Sequence, residues 1–387
     1  MTRAVRRLCI VTTHPIQYAA PWFRVLSSDP EIDLHVIFYR RLSPQQQGAG
    51  FGRSFVWDVP LESGYAMTSL DVDSKLTSLP KLLWRLVRTL RSARPDAVLV
   101  TGWNEVGLVA AYPLVRLLGL PVIARGDSNA LKVRGTLTRL FHQCLVRFFS
   151  AVITVGRSNS EFYRSCGIPL HKTFEGAHFV ESPRMLAMAD ASRAQRELLR
   201  AELGFSEEEF VFVFSGKMSP YKRPFMVVEA AALLLARGAP VNLLFVGSGE
   251  LMHPLKERCL TLGVRAVFLG FLNQSELWKG YVPSDALILP SDNRETWGLV
   301  VNEAMLFGLP VIVSDQVGCG PDLVVDGETG YRFSGESEAL AFAMEKLLDD
   351  RLNARRMGEQ GRALVLARYS MANATQSLKL ALSLVAP

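Results

Sequence analysis

Two acidic residues in the second half of the chain have a spacing that suits ligand binding. Glu295 lies on a predicted loop, and Glu303 lies eight residues later on the helix predicted to follow that loop. Val300 and Phe307 are about one turn from Glu303 on either side, so its carboxylate lies on an apolar helical face. A carboxylate on such a face is costly unless it is paired or hydrogen-bonded. Glu303 therefore either accepts hydrogen bonds from the vicinal hydroxyls of a ribose or is satisfied by another group of the protein.

A group of cations lies at the end of a predicted strand. Lys217, Lys222 and Arg223 fall within seven residues, directly after the strand predicted at 210–215. Such a cluster is either a solvated surface patch or a diphosphate site, and its place above a parallel sheet favours the diphosphate. The helix predicted to begin near Gly298 adds free N–H groups and a positive dipole end, which also suit phosphate.

Two other patterns resemble known sites but fail on their spacing. The turn from Gly247 to Gly249 has Met252 where a dinucleotide-binding turn needs its third glycine, which argues against a nicotinamide dehydrogenase. Asp71 and Asp73 imitate a metal-binding D-x-D pair, but they follow no convincing strand, so we expect a solvated loop there. The six histidines never stand three or four residues apart, so no metal site is predicted.

The elements that must position these residues follow a βαβα order in both halves of the chain. The predicted strands are mostly apolar runs without alternation, as expected where helices cover both faces of a parallel sheet. The predicted fold class is therefore α/β, with two doubly wound, Rossmann-like domains facing across a cleft. The predicted strands cover residues 8–12, 34–39, 97–101, 122–125 and 151–155 in the first half, and 210–215, 241–246, 267–269, 286–289 and 311–313 in the second.

The predicted boundary between the domains falls in a polar helical stretch between residues 180 and 210. We assign residues 1–185 to the first domain, 186–369 to the second, and 370–387 to a terminal helix that crosses back to the first. Ligands of such folds bind at the carboxyl ends of the strands, in the crevice between the domains.

The composition excludes several classes of protein. With 387 residues, 49% hydrophobic and 21% charged, the chain can bury two cores and is neither disordered nor fibrous. Five scattered cysteines without a C-x-x-C pair favour a reducing, cytoplasmic setting over a disulfide framework. Neither a signal peptide nor a membrane-spanning helix is predicted. Residues 1–180 contain 22 Lys and Arg against 12 Asp and Glu, whereas residues 181–387 contain 21 against 25, so the halves are expected to meet different partners.

The excess of cations in the first half includes a predicted helical stripe at 81–94. The helix either packs on the sheet with its cations in water or rests peripherally on an anionic membrane. Nucleic acid is not a predicted partner, because the cations are not interleaved with aromatic platforms. The stripe consists of Lys81, Arg85, Arg88, Arg91 and Arg94, with Trp84 and aliphatic residues around it.

Together these features resemble the retaining glycosyltransferases of family 4, which have the GT-B fold. Glu295 and Glu303 match the E-x7-E motif of that family, and Lys217 and Lys222 match its basic pair beside the donor diphosphate, where arginine is commoner at the first place. The segment that opens at Thr13, T-H-P-I-Q-Y, is similar to the start of one subgroup of the family.

The resemblance implies transfer of a hexose, with retention, from a nucleoside diphosphate sugar to a glycan, a glycolipid or a small molecule. UDP is favoured by its frequency in the family, and no metal or other cofactor is implied. Glu303 would hold the ribose, and Glu295 would contact the hydroxyls of the donor sugar. The implied donor-binding residues are Gly216, Lys217, Lys222, Gly247, Leu272, Glu295, Thr296, Trp297, Gly298, Leu299, Val300 and Glu303.

The acceptor side departs from the family. Many members have a histidine at places that read 102–104 and 125–127 in this chain, where none is present. We expect Asp127 to be the base for the acceptor, and we place His14, Gln17 and Arg125 on the acceptor side. The catalytic candidates are Glu295, Lys222 and Asp127.

Two other functions are compatible with the same residues. A sugar-nucleotide epimerase on a similar two-lobed scaffold would convert the donor without any acceptor. A non-catalytic protein would bind the nucleotide sugar and leave it unchanged, although the intact set of acids and lysines argues against that function.

Overall fold

Two parallel sheets, each with its own hydrophobic core, organise the chain. The computed structural model describes residues 5–239 and 241–386. Unit 1 comprises Met1–Ser43, Val59–His178 and Met371–Pro387, and unit 2 comprises Pro44–Asp58 and Phe179–Ser370. These limits differ from the predicted boundaries chiefly because a segment of the first half of the sequence packs in unit 2.

Strands and helices alternate along most of the chain. The strands are β1 (Arg6–Thr12), β2 (Ile32–Phe38), β3 (Ala66–Ser69), β4 (Ala97–Thr101), β5 (Val122–Arg125), β6 (Ala151–Thr154), β7 (Thr173–Glu175), β8 (Val211–Ser215), β9 (Asn242–Val246), β10 (Arg265–Gly270), β11 (Ala286–Leu289), β12 (Val311–Ser314) and β13 (Gly330–Phe333). The α-helices are α1 (Ala20–Ser27), α2 (Pro44–Gln47), α3 (Leu79–Ala93), α4 (Val106–Leu117), α5 (Thr136–Leu145), α6 (Arg157–Ser165), α7 (Ser182–Ser192), α8 (Arg196–Glu202), α9 (Pro224–Ala236), α10 (Met252–Thr261), α11 (Trp278–Tyr281), α12 (Leu299–Leu306), α13 (Gly320–Leu323), α14 (Ser337–Asp349), α15 (Arg351–Arg368) and α16 (Met371–Val385).

Unit 1 is a seven-stranded parallel sheet in the order β3-β2-β1-β4-β5-β6-β7. The apolar runs predicted as strands form its centre, where side chains such as Ile10 and Leu99 are fully buried. Helix α16 packs on this unit, and the Trp22 indole donates a hydrogen bond to Thr375 Oγ1 at 3.0 Å. The last helix of the chain thus belongs to the core of the unit that contains the first strand.

Unit 2 is a six-stranded parallel sheet in the order β10-β9-β8-β11-β12-β13. The chain runs outward from β8 to β10 and then returns to the other side of β8 with β11. Ligands of doubly wound sheets bind where the strand order reverses in this way, at the carboxyl ends of the strands. The turns after β8 and β11 therefore occupy the expected binding position of this unit.

All ten predicted strands are present, and β3, β7 and β13 were missed. These three strands have only three or four residues and lie at the edges of their sheets. An edge strand is partly exposed, so its sequence need not be an apolar run. Within the described part of the chain, no helix is both long and apolar enough to cross a membrane.

Helix α8 is held to unit 2 by a fully buried arginine. The Arg200 guanidinium donates to the Ser206 and Pro283 carbonyls at 3.0 and 3.2 Å and to Asp285 Oδ2 at 3.2 Å. We expect Arg200→Met to lower the free energy of unfolding by about 2 kcal/mol, because the Ser206 and Pro283 carbonyls lose a buried donor, whereas Asp285 keeps the Arg196 guanidinium at 2.6 Å. Urea denaturation measures this change. The exposed Arg193 is the control, and a loss in Arg193→Met as large as that in Arg200→Met would contradict the prediction.

Candidate functional site

The turn after β8 brings two lysines to the carboxyl edge of the sheet of unit 2. Gly216 follows the strand directly, and its amide donates to the Val246 carbonyl at 2.9 Å. Lys217 is partly buried, and Lys222 is only 8% exposed. Arg223 adopts a left-handed conformation at φ +49° as helix α9 begins. Lys217, Lys222 and Arg223 are therefore all partly or largely removed from solvent in this turn.

Lys222 forms an ion pair with Glu295, across the turns after β8 and β11. Both side chains are largely buried, with 10% and 14% exposed. The buried Ser291 hydroxyl donates to Glu295 Oε2 at 3.1 Å, and the Gly318 amide donates to the Glu295 carbonyl at 3.0 Å. A lysine ammonium has three N–H donors, so Lys222 can bond Glu295 and an anionic ligand at the same time.

Glu303 lies on helix α12 and is 2% exposed. The Tyr281 hydroxyl donates to Glu303 Oε2 at 2.7 Å and lies 3.3 Å from the Ser215 hydroxyl. The structure thus supplies an internal partner for this carboxylate, the Tyr281 hydroxyl. Because a carboxylate has about four acceptor positions, Glu303 can accept further hydrogen bonds from ligand hydroxyls.

Helix α12 begins at a position that strongly favours glycine. Gly298 has φ +100°, and an added Cβ would lie 2.7 Å from Leu289 Cδ2. The first two amides of the helix, those of Leu299 and Val300, have no carbonyl of a preceding turn to bond, whereas the Val301 amide donates to the Gly298 carbonyl at 2.9 Å. The Trp297 side chain is buried, and its indole donates to Asn302 Oδ1 at 2.9 Å. The indole therefore supports the start of the helix, and only the backbone of Trp297 is left for ligand contact.

The turn after β9 packs backbone to backbone against the turn after β8. Gly247 has φ +120°, and an added Cβ would lie 1.9 Å from the Gly216 carbonyl oxygen, so no side chain fits there. The Gly247 amide also donates to the Gly270 carbonyl at 2.7 Å, which joins the turn after β10. The remaining predicted donor residues are partly buried: Leu272 and Thr296 on the loops after β10 and β11, and Val300 in the first turn of α12.

The electrostatics of this edge favour an anion. Burial, and secondarily the neighbouring Lys222 charge, lower the pKa of Lys217. An anionic ligand would offset the repulsion between the two ammonium groups. Lysines and helix amides can therefore hold a diphosphate here, while the acids can accept hydrogen bonds from hydroxyls.

No group of three or more His, Cys, Asp or Glu side chains suited to a metal ion occurs within residues 5–239 and 241–386. Asp71 and Asp73 are exposed in the loop between β3 and α3, as the sequence predicts, and Asp73 lies 3.7 Å from the Arg40 guanidinium.

The carboxyl edge of unit 1 contains one polar cluster around β1. His14 follows β1 with its Nδ1 2.9 Å from the Thr13 hydroxyl, and Gln17 is partly buried in the same loop. Burial and the Arg40 cation lower the pKa of His14, whereas the Glu105 carboxylate raises it. Arg40 and Glu105 form a two-pronged ion pair at 2.6 and 2.7 Å. This pair was not predicted, because its partners are 65 residues apart and match no motif.

A second polar cluster lies around β5. Arg125 is the last residue of the strand. Its guanidinium donates to the Ala177 carbonyl at 2.7 Å, and its Cζ lies 5.1 Å from the centroid of the Trp22 ring, so these two contacts have a structural role. Asp127 is exposed two residues later. His178 belongs to this cluster, because the charges of Arg125 and Asp127 both act on its imidazole. Burial, and secondarily the Arg125 charge, lower the pKa of His178 to about 3, while the Asp127 charge opposes this shift. His178 was missed because it follows β7, an edge strand that the sequence pattern did not reveal.

We expect His178 to make the stability of unit 1 depend on pH. Its pKa is about 3 in the folded protein and 6.5 in a free side chain, so the unfolded chain takes up the proton first and stability is lost as the pH falls below about 6.5. Between about pH 7 and about pH 5, the thermal midpoint of the wild type should therefore fall more than that of His178→Gln. His171→Gln, at an exposed histidine, should follow the wild type. Parallel pH profiles for the wild type and His178→Gln would contradict the prediction.

Known proteins resemble this chain in sequence over different spans. Residues 195–364, fewer than half of the chain, match the family described as Glycosyl transferases group 1. Alpha-D-kanosaminyltransferase of Streptomyces kanamyceticus is 26% identical over 314 residues, which cover 77% of this chain and 80% of that protein. D-inositol 3-phosphate glycosyltransferase of Nocardia farcinica is 37% identical over 203 residues, which cover 49% of this chain and 44% of that protein.

Solved structures resemble the chain over nearly its whole length. HepE of Anabaena, in complex with UDP and glucose, has a TM-score of 0.75 at 18% identity and covers 98% of this chain and 99% of its own. Sucrose-phosphate synthase from Thermosynechococcus elongatus has a TM-score of 0.74 at 19% identity with the same coverage. The predicted pair of Rossmann-like domains is confirmed, and the fold is that of the GT-B glycosyltransferases. With its glycosyl transferases group 1 domain at residues 195–364, this protein is a glycosyltransferase.

Proposed function

We propose that this enzyme transfers a hexose from a UDP-sugar to a hydroxyl of a glycan, a glycolipid or a small molecule. We further propose that it retains the configuration at the anomeric carbon, as family 4 glycosyltransferases do, and needs no metal ion. The observation that supports this most directly is the buried Lys222–Glu295 pair beside Lys217, at the carboxyl ends of β8 and β11.

The donor would bind to unit 2 with its diphosphate on Lys217 and Lys222 and on the first amides of α12. Glu303 would accept hydrogen bonds from the ribose hydroxyls while Tyr281 keeps its carboxylate in place. Glu295, fixed by Lys222 and Ser291, would contact the hydroxyls of the transferred sugar. UDP is proposed because HepE, which shares the fold, was crystallised with UDP and glucose.

In the proposed reaction the bond between the anomeric carbon and the diphosphate oxygen breaks as the acceptor oxygen attacks the same face of the sugar. The proton of the acceptor hydroxyl passes to the departing phosphate oxygen. The exposed Asp127 carboxylate of unit 1 is the other candidate base for this proton. Two lysines and the helix amides stabilise the charge that develops on the leaving group, and this is the role that a metal ion fills in other transferases. His14, Gln17 and Arg125 of unit 1 are proposed acceptor-side residues.

Substitution of the donor-site residues tests this assignment. Glu303→Ala and Lys222→Ala should each weaken UDP binding about tenfold or more, because each removes a hydrogen bond to a charged group. Glu295→Ala should reduce turnover more than it reduces UDP binding. Calorimetry with UDP and slow hydrolysis of UDP-, GDP- and dTDP-sugars measure the two quantities. Glu338→Ala, at an exposed glutamate of α14, is the control. Three variants that bind UDP and turn over like the wild type would refute the site.

The same assays separate the other two functions. An epimerase would convert the donor sugar without any acceptor, and a binding protein would leave it intact. A retaining transferase instead gives a product whose anomeric configuration matches that of the donor.

We also propose that unit 1 contacts an anionic membrane through helix α3. The helix buries Leu82, Leu86 and Leu90 in the core, so it packs on the sheet as well. Its outer face presents Trp84, 57% exposed, with the Arg88 guanidinium 4.8 Å from the indole ring. Cations and an aromatic ring on one exposed face are typical of helices that lie on anionic lipid. Lys81, Arg91 and Arg94 are exposed on or beside the same face, whereas Arg85 is partly buried and bonds the Leu70 carbonyl.

Flotation with phosphatidylglycerol vesicles tests the membrane contact. The double variant Arg88→Glu/Arg91→Glu should lose most of its vesicle binding, because each cation near an anionic surface contributes about 1 kcal/mol. Arg355→Glu/Arg356→Glu changes the net charge equally on α15 of unit 2 and should bind like the wild type. Equal recovery of both double variants with the vesicles would rule out α3 as the contact. A loss confined to Leu137→Gln/Leu140→Gln would move the contact to α5, where these side chains are 83% and 51% exposed.

A further inference from the structure

A segment from the first half of the sequence is built into unit 2. We call residues 44–58 the strap; the chain leaves unit 1 after Ser43 and returns to it at Val59. The strap contains the short helix α2 and the glycine-rich run G-A-G-F-G at 48–52. It lies outside residues 195–364, which match the glycosyltransferase family. No motif of the sequence analysis gave it a role.

Aromatic side chains anchor the strap to the loop after β10. Phe55 is 8% exposed, and its ring centroid lies 4.1 Å from that of Phe271. The rings of Phe51 and Trp57 lie 5.1 and 6.1 Å from the same Phe271 ring. Aromatic clusters of this kind dominate local packing energies. The strap is therefore fixed on the surface beside the predicted donor residue Leu272.

Polar contacts fix the end of the strap to the same loop. The Asp58 carboxylate accepts hydrogen bonds from the Ser275 amide at 3.1 and 3.3 Å and from the Ser275 hydroxyl. The Asn273 side chain donates to the Val56 carbonyl at 2.8 Å. These bonds join residues more than 200 positions apart in sequence, so they set the position of the strap in the fold rather than its local shape.

The backbone of the anchored strap contacts Lys217, one of the two lysines of the proposed diphosphate site. Lys217 Nζ donates to the Ala49 carbonyl at 2.8 Å and lies 4.9 Å from the Phe51 ring centroid. An added Cβ on Gly50, which has φ +82°, would lie 3.1 Å from Lys217 Nζ, so a side chain there would crowd the ammonium. The Ser248 hydroxyl donates to the Phe51 carbonyl at 2.6 Å, which ties the strap to the turn after β9 as well.

These contacts restrict Lys217 without using all of its bonding capacity. A lysine has a flexible four-carbon stem, and fixing it on binding costs rotamer entropy that a pre-oriented side chain does not lose. The Ala49 carbonyl takes one of its three N–H donors, which leaves two for phosphate oxygens. The partial negative charges of the carbonyl and the Phe51 ring also favour the charged ammonium.

We propose that the strap is an element of the donor site that orients Lys217 toward the diphosphate of the nucleotide sugar. This inference rests on the proposed function. Phe55 and Asp58 are then positioning residues that act through Lys217, and the donor site extends to residues far outside the matched domain. If the strap instead competed with phosphate for Lys217, its loss would strengthen donor binding.

A double-mutant cycle on UDP binding tests the proposal. Phe55→Ala and Asp58→Ala should each weaken UDP binding about tenfold in the wild-type background and less than about twofold in the Lys217→Met background. The KM for the donor should rise with little change in kcat, because the strap acts on binding. Val56→Ala, at a residue of the same strap that is 60% exposed, is the matched control and should bind like the wild type. Asp58 is exposed, so its variant tests the strap without disturbing the aromatic cluster.

Each outcome of the cycle decides the inference. A loss that is confined to the background with Lys217 intact supports the strap as a positioning element. Equal losses in both backgrounds, unchanged binding, or tighter binding would overturn it, while UDP binding by the wild type would leave the proposed function standing. If the wild type binds no nucleoside diphosphate, both the proposed function and this inference fail.

Discussion

The ion pair between Lys222 and Glu295 is the interaction on which the site of unit 2 depends. Both side chains are largely buried, and a buried charge without its partner is strongly destabilising. The pair connects the turns after β8 and β11, which the strand order makes neighbours although 73 residues separate them. Both side chains can still form hydrogen bonds to a ligand, because the lysine has two further N–H donors and the carboxylate has further acceptor positions. The same pair therefore fixes the two turns and keeps groups of opposite charge available for a ligand.

Glycine backbones make this concentration of polar groups possible. Gly247 lets the turn after β9 approach the turn after β8, and Gly298 lets α12 start directly against Leu289. Both residues have positive φ values that other residues rarely adopt. The strap extends the same principle, since Gly50 passes against Lys217 at a distance that a side chain would disturb. Close backbone approach, rather than additional charged side chains, shapes the edge at which the donor is proposed to bind.

Sequence patterns predicted the parts of the protein that depend on local order. The central strands are apolar runs, so they could be predicted from the sequence. Glu295 and Glu303 lie on one loop and on the helix that follows it, so their spacing could be recognised as well. The edge strands β3, β7 and β13 were not predicted, because partial exposure removes the apolar pattern. His178, which follows β7, was not predicted for the same reason. Trp297 is among the predicted donor-binding residues, and the hydrogen bond of its buried indole to Asn302 depends on packing that spacing does not reveal.

The strap could not have been found from the sequence for a different reason. Lys217 and Ala49 are 168 residues apart, and the glycines of the strap give no sign of which unit they join. Only the fold brings them together.

A crystal structure of the enzyme with UDP tests the central claim most directly. The account predicts the diphosphate within hydrogen-bonding distance of Lys217 Nζ and Lys222 Nζ, at the carboxyl ends of β8 and β11, with the ribose hydroxyls on Glu303. Well-ordered nucleotide elsewhere on the protein, with the Lys222–Glu295 pair untouched, would contradict it.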